Sequence, residues 1–171
     1  VLSRFGVMFF ADATAAFRQL RRALVPGGKL HFVCWRSTAD NPFQTTAERA
    51  AAPLVPHFPA RAASGPGQFA FADRDFVARV LGDAGFHEVD ISPLDVTCAF
   101  PAAELEHYVA RLGPLGQVLS SLDDGARTRV TSAVLSAFAP FVFGDEVRFS
   151  AACWSVRALS RQQRSSLLPP R

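Results

Sequence analysis

The sequence predicts an α/β fold, a three-layer sandwich around a mostly parallel sheet whose last strand runs antiparallel, and three observations carry that expectation. Short apolar strings such as Leu30-His31-Phe32-Val33-Cys34-Trp35 are nearly continuous, as in strands covered on both faces. Between them lie segments with apolar residues at spacings of three and four behind a capping residue, such as Asp12 before Phe17, Leu20 and Leu24. Strand, helix and strand together occupy about 35 residues, the length of one βαβ unit.

The elements follow in order. The chain opens on VLSRFGVMFF, which commits Val1, Leu2, Phe5, Val7, Met8, Phe9 and Phe10 to apolar surroundings and reads as a first strand. In the helix behind Asp12, Arg18, Gln19, Arg21 and Arg22 face away from the apolar stripe, as a solvated face. Val25-Pro26-Gly27-Gly28 ends that helix, because proline cannot continue the hydrogen-bond ladder and glycine permits a left-handed reversal. The next strand places Leu30, Phe32 and Cys34 on one face and His31, Val33 and Trp35 on the other.

From Arg36 to Gln68 the pattern loosens into an insertion with one helix over Pro42 to Ala52 and a Pro/Gly/Ala linker. Regularity returns where Asp73 caps a helix whose stripe is Phe76, Val77, Val80, Leu81 and Ala84, with Gly85 at the position after its end. HEVDISPLDVTCAF is a strand in which Pro93 favours an edge or bulged position. A helix over Ala102 to Leu112 closed by Gly113, and a second over Ala126 to Phe138 stopped by Pro140, precede a reversal at Phe143-Gly144-Asp145. The last strand alternates Val147, Phe149, Ala151 and Cys153 with Arg148, Ser150, Ala152 and Trp154 to about Ala158. Residues 159–171 read as a flexible tail, leaving 1–158 as one domain with cap-like insertions at 36–68 and 101–143.

Composition excludes several classes. At 171 residues and 49% hydrophobic, the chain is long and apolar enough for a single well-filled core. The net charge is +3, with Lys29 the only lysine. No aromatics interleave with the arginines, which argues against a nucleic-acid partner. Cys34, Cys98 and Cys153 are far apart and lack ligand spacing, so no metal site is expected, and each reads as a buried free thiol of a reducing compartment. No apolar run reaches the ~20 residues of a membrane span, and the first ten residues lack the pattern of a secretion signal, so no membrane partner is expected and the cytoplasm is the default location.

Ser-Arg-Phe-Gly-Val-Met-Phe-Phe, Leu-Val-Pro-Gly-Gly-Lys-Leu before an apolar strand, the Asn-Pro-Phe insertion and FAFADRDFVARVLGDAGF together resemble the carboxy-terminal half of class I S-adenosylmethionine-dependent methyltransferases of the small-molecule branch, over Val1 to about Leu159. The resemblance implies part of a Rossmann-like domain with S-adenosylmethionine as cofactor. That family carries a glycine-rich loop after its first strand and an acidic residue after its second, and neither stands in this sequence. The first strand here aligns with the family's fourth, ordinarily interior, so the resemblance implies a truncated portion whose cofactor-binding part is missing. An interior strand without its neighbour has an unpaired edge, which favours a homodimer through that edge.

In open α/β sheets ligands lie at the carboxyl ends of the strands. By resemblance, Ser3, Arg4 and Phe5 meet the cofactor, while Trp35 and Arg36 face a small substrate. A sulfonium is cationic and attracts aromatic faces, which adds Phe9 beside Phe5 and Trp35. His57, in a proline-flanked stretch of the insertion, is the candidate general base; His31 reads as a hydrogen-bonded core residue, and His87 and His107 as surface. Methyl transfer relies largely on positioning, so the lack of a catalytic dyad is no objection. The phenylalanine-rich insertion suggests an apolar or aromatic acceptor. The alternative is a non-catalytic interaction module or decayed paralogue; a nicotinamide-dependent half is disfavoured because no dinucleotide loop is present.

Overall fold

The structure is a computed structural model that describes residues 1–61, 65–111 and 113–160. It is mixed α/β around an open sheet of five strands, in which β1 (Leu2–Arg4), β2 (Lys29–Trp35), β5 (Glu146–Ser160) and β3 (Phe86–Pro101) lie side by side in that order, while β4 (Val142–Phe143) pairs with β5. β1 runs parallel to β2, and β5 lies antiparallel on β2's other side, as the antiparallel last strand of the sequence reading requires. Six helices complete the described chain: α1 (Ala13–Arg22), α2 (Pro42–Ala51), α3 (Arg74–Asp83), α4 (Leu105–Val109), α5 (Gly113–Ser121) and α6 (Asp124–Ala137). No described helix is long and apolar enough to cross a membrane.

The chain divides into two compact units. The first comprises 1–36, 65–94 and 153–160, and the second 37–61, 95–111 and 113–152. In the first, Leu30, Phe32 and Cys34 of β2 are buried with Val156 and Ala158 of β5 beneath Phe17 of α1 and Val77, Val80 and Leu81 of α3. Phe17 is completely buried and touches the rings of Phe10, Phe32, Phe71 and Phe86. The helix starts are built as expected, since Asp12 Oδ1 accepts the Ala15 amide at 2.8 Å and Asp73 Oδ1 accepts those of Asp75 and Phe76. Gly28 is demanded by close approach, because a Cβ there would stand 2.8 Å from the Val25 carbonyl oxygen.

In the second unit Phe43 of α2 is the hub. It stacks on Phe149 at 3.9 Å between ring centres and meets Phe100, Tyr108, Phe138 and Phe141. Around it close Leu105 and Val109 of α4, Leu115 of α5 and Val130 and Val134 of α6.

Several expectations are corrected. Arg18, Gln19 and Arg22 are exposed as expected, but Arg21 is half-buried, and two of the arginines are engaged: Arg18 donates to the Asp83 carbonyl at 3.2 Å and Arg21 to that of Ala84 at 2.9 Å. The last carbonyls of α3 have no partner within their own helix and lie at its negative end, so guanidinium groups from α1 satisfy them. Gly113 does not close a helix but begins α5, with Pro114 in the first turn where its missing N–H costs nothing. The edge position expected from Pro93 holds, since β3 is the outer strand of the sheet and continues through Pro93 as one strand of 16 residues, where the missing N–H is harmless. Cys98 is half-buried rather than buried. β5 extends to Ser160, which is 3% exposed and donates through Oγ to the Val25 carbonyl, so residues 159 and 160 belong to the strand rather than to a tail; the rest of the expected tail, 161–171, lies outside the described residues.

Candidate functional site

β1 and β2 pair in parallel from Leu2 opposite His31 to Arg4 opposite Val33, so their carboxyl ends come out together. The Phe5 amide still donates to the Val33 carbonyl at 3.0 Å, and the chain then turns with Phe5 at φ +57°. A bulky residue in that left-handed region carries strain of about 1–3 kcal/mol. Simple alternation along β1 would send Phe5 to the side of Ser3. Instead its ring stacks on Trp35, with ring centres 4.7 Å apart and planes 14° from parallel. Such a stack contributes roughly 0.5–1.5 kcal/mol, so it offsets part of the strain and holds the turn in one conformation.

Beside this pair, Arg36 lies with its guanidinium carbon 5.5 Å from the centre of the Trp154 ring, and the Trp154 indole is fixed by donating to the Ala72 carbonyl at 2.8 Å. The strand ends of the first unit therefore carry a stacked aromatic pair and a cation laid on a second indole. Below them, His31 Nε2 and Ser155 Oγ share a hydrogen bond of 3.0 Å across β2 and β5. The Cys34 thiol is pushed up to about 12 by burial first and by neighbouring Cys153 second, so it remains protonated and unreactive at neutral pH.

Of the residues singled out in the sequence, Ser3, Arg4, Phe5, Trp35 and Arg36 all lie at or next to these strand ends. Phe9 stands 58% exposed in the short turn Val7–Phe9, whose Val7 and Met8 are the buried members. His57 belongs to the second unit, where it is exposed at φ +58°. His87 is half-buried, and its Nδ1 has no hydrogen-bond partner among the described residues. Trp154 was not singled out from the sequence, because its place beside Arg36 depends on β5 lying against β2, a pairing across more than a hundred residues.

The residues at the strand ends offer aromatic faces suited to a sulfonium. They include no glycine-rich cradle and no carboxylate for a ribose, and with Arg4 and Arg36 both cationic they fit at most one edge of S-adenosylmethionine. Among the described residues no group of His, Cys, Asp and Glu could hold a metal ion.

No family model and no curated protein matches the sequence. Solved structures overlap it loosely. A Bacillus halodurans protein described as a candidate methyltransferase aligns with 95% of this chain at 15% identity and a TM-score of 0.48. Bacillus subtilis YcgJ aligns with 94% at 12% identity and 0.46. Haemonchus contortus phosphoethanolamine N-methyltransferase 2, solved with phosphomonomethylethanolamine and S-adenosylhomocysteine, aligns with 95% at 14% identity and 0.41. The chain spans 64%, 63% and 33% of those three chains, respectively. At such scores the chain's own residues must carry any functional assignment.

Proposed function

We propose that this chain is a portion of an S-adenosylmethionine-dependent methyltransferase acting on a small apolar or aromatic acceptor, and that it supplies the substrate-facing end of the sheet. The observation that carries this reading is the joint ending of parallel β1 and β2 in a strained Phe5 stacked on Trp35, at the sheet end where open α/β folds bind ligands. The cofactor would supply an activated methyl group. The chain's own residues hold one wall of the site, with the Phe5–Trp35 pair excluding water and Arg36 held against Trp154. His57 is proposed as the general base for a protonated acceptor. The resemblance in VLSRFGVMFF and its neighbours supports the same reading.

On this proposal the domain runs through Ser160, the end of β5, with 36–68 and 101–143 as caps, in a cytoplasmic protein. Among the described residues β1 has β2 on one side and ends the sheet on the other, which leaves its outer edge to a further strand, of a longer parent polypeptide or of a second copy.

The test is calorimetric titration with S-adenosylmethionine of this chain and of a longer product of the same reading frame. The expectation is tight binding by the longer product alone. Tight binding by the 171-residue chain would overturn the division of the site. A longer product that neither binds nor transfers a methyl group to a panel of aromatic acceptors would favour the non-catalytic interaction module.

A further inference from the structure

The second unit has a cleft of about 410 Å³ lined by Phe100, Glu104, His107, Tyr108 and Arg111. A volume of this size falls in the ordinary range of small-molecule sites. Its floor is aromatic, with Phe100 and Tyr108 ring centres 5.0 Å apart and planes inclined by 31°. Both rings are backed by Phe43, at 6.3 Å and 5.7 Å, so the floor is anchored in the unit's core rather than free to swing.

The polar groups are set by helical spacing. Glu104, His107 and Tyr108 recur at three and four residues through the turn Ala102–Glu104 and α4, which puts them on one face, and Arg111, in the turn just beyond α4, lines the same cleft. Among the described residues, neither the Tyr108 hydroxyl nor the His107, Arg111 or Glu104 side chain has a hydrogen bond or ion pair. Three of these four groups donate hydrogen bonds, and Arg111 always does so as a cation. Tyr108 is half-buried, and burial first, then Cys98, raises its phenol above the ordinary range, so the hydroxyl stays a donor throughout neutral pH.

We propose that this cleft binds a flat aromatic anion, its ring lying on Phe100 and Tyr108 and its carboxylate or comparable group taking hydrogen bonds from Tyr108 and Arg111. This site stands apart from the strand-end reading above and does not depend on methyl transfer.

Tyr108 is the only tyrosine, so 13C-tyrosine-labelled protein gives a single set of ring signals that reports on this cleft alone. The probes are 2-naphthoate, 2-naphthalenemethanol and a naphthyl-trimethylammonium salt, which present one ring system with negative, neutral and positive charge. The expected result is saturable movement of the Tyr108 signals, with naphthoate binding about tenfold more tightly than the alcohol. Arg111→Ala, a change at an exposed position, should abolish that difference while leaving the alcohol's affinity intact. Absence of any Tyr108 response, tighter binding of the cationic probe, or an anion preference that survives Arg111→Ala would each overturn the proposal. None of these readings involves S-adenosylmethionine, so failure here is distinct from failure of the methyltransferase reading.

Discussion

Single side chains carry more of this structure than their residue types suggest. Asn41 is completely buried, yet its amide forms three hydrogen bonds: Nδ2 donates to the Ala152 carbonyl at 2.9 Å and to the Ser37 carbonyl at 3.0 Å, while Oδ1 accepts the Ala152 amide at 2.9 Å. The side chain thus imitates a strand partner for β5 where the backbone leaves a gap. Asn41→Ala would leave the buried N–H and C=O of Ala152 unpaired, and a loss of about 3 kcal/mol is expected in urea unfolding. From the sequence Asn41 was only the start of Asn-Pro-Phe, because its partner lies 111 residues away. Phe5 was legible as a site residue from its place at a strand end. Its left-handed backbone and its stack on Trp35 were not, since both depend on β1 and β2 meeting in register.

At the scale of elements, α3 shows how one helix is specified from inside and finished from outside. Its cap at Asp73 and its stripe of Val77, Val80 and Leu81 follow from local spacing. Its carboxyl end is completed by Arg18 and Arg21 of α1. The two glycines near that end should therefore respond in opposite ways. A Cβ at Gly82 would meet nothing within 4 Å, and Gly82→Ala should stabilise the protein by up to about 1 kcal/mol through helix propensity. Gly85 has φ +88°, and a Cβ there would stand 3.0 Å from Arg21 Nε, so Gly85→Ala should destabilise by about 1–3 kcal/mol. Thermal unfolding of the two variants gives the comparison, and equal shifts of the same sign would refute the role assigned to Arg21.

At the scale of the whole molecule, burial of thiols couples stability to alkaline pH. Cys34 has its folded-state value raised to about 12 against 9.0 for an open thiol, so the stabilisation is fully present below pH 9 and is lost as pH rises toward 12. The slope in that window reaches about 1.4 kcal/mol per pH unit, and Tyr108, also raised, adds to it with the same sign. Urea midpoints between pH 8 and 11 should fall more steeply for the wild type than for Cys34→Ala. With a thiol reagent at pH 8, half-buried Cys98 should react first, and Cys34 and Cys153 only on unfolding. By itself the sequence determined the α/β class, the capped helices α1 and α3, the alternation in β2 and the reversal at Gly144, because caps, periodicity and turn residues act over a few positions. Tertiary structure alone decided that β5 lies between β2 and β3, that Trp154 receives Arg36, that Phe43 gathers five other aromatic rings into one cluster and that Asn41 completes β5. Each of these joins residues far apart in the chain, and contacts of that kind are fixed by which surfaces exclude water together rather than by any local pattern.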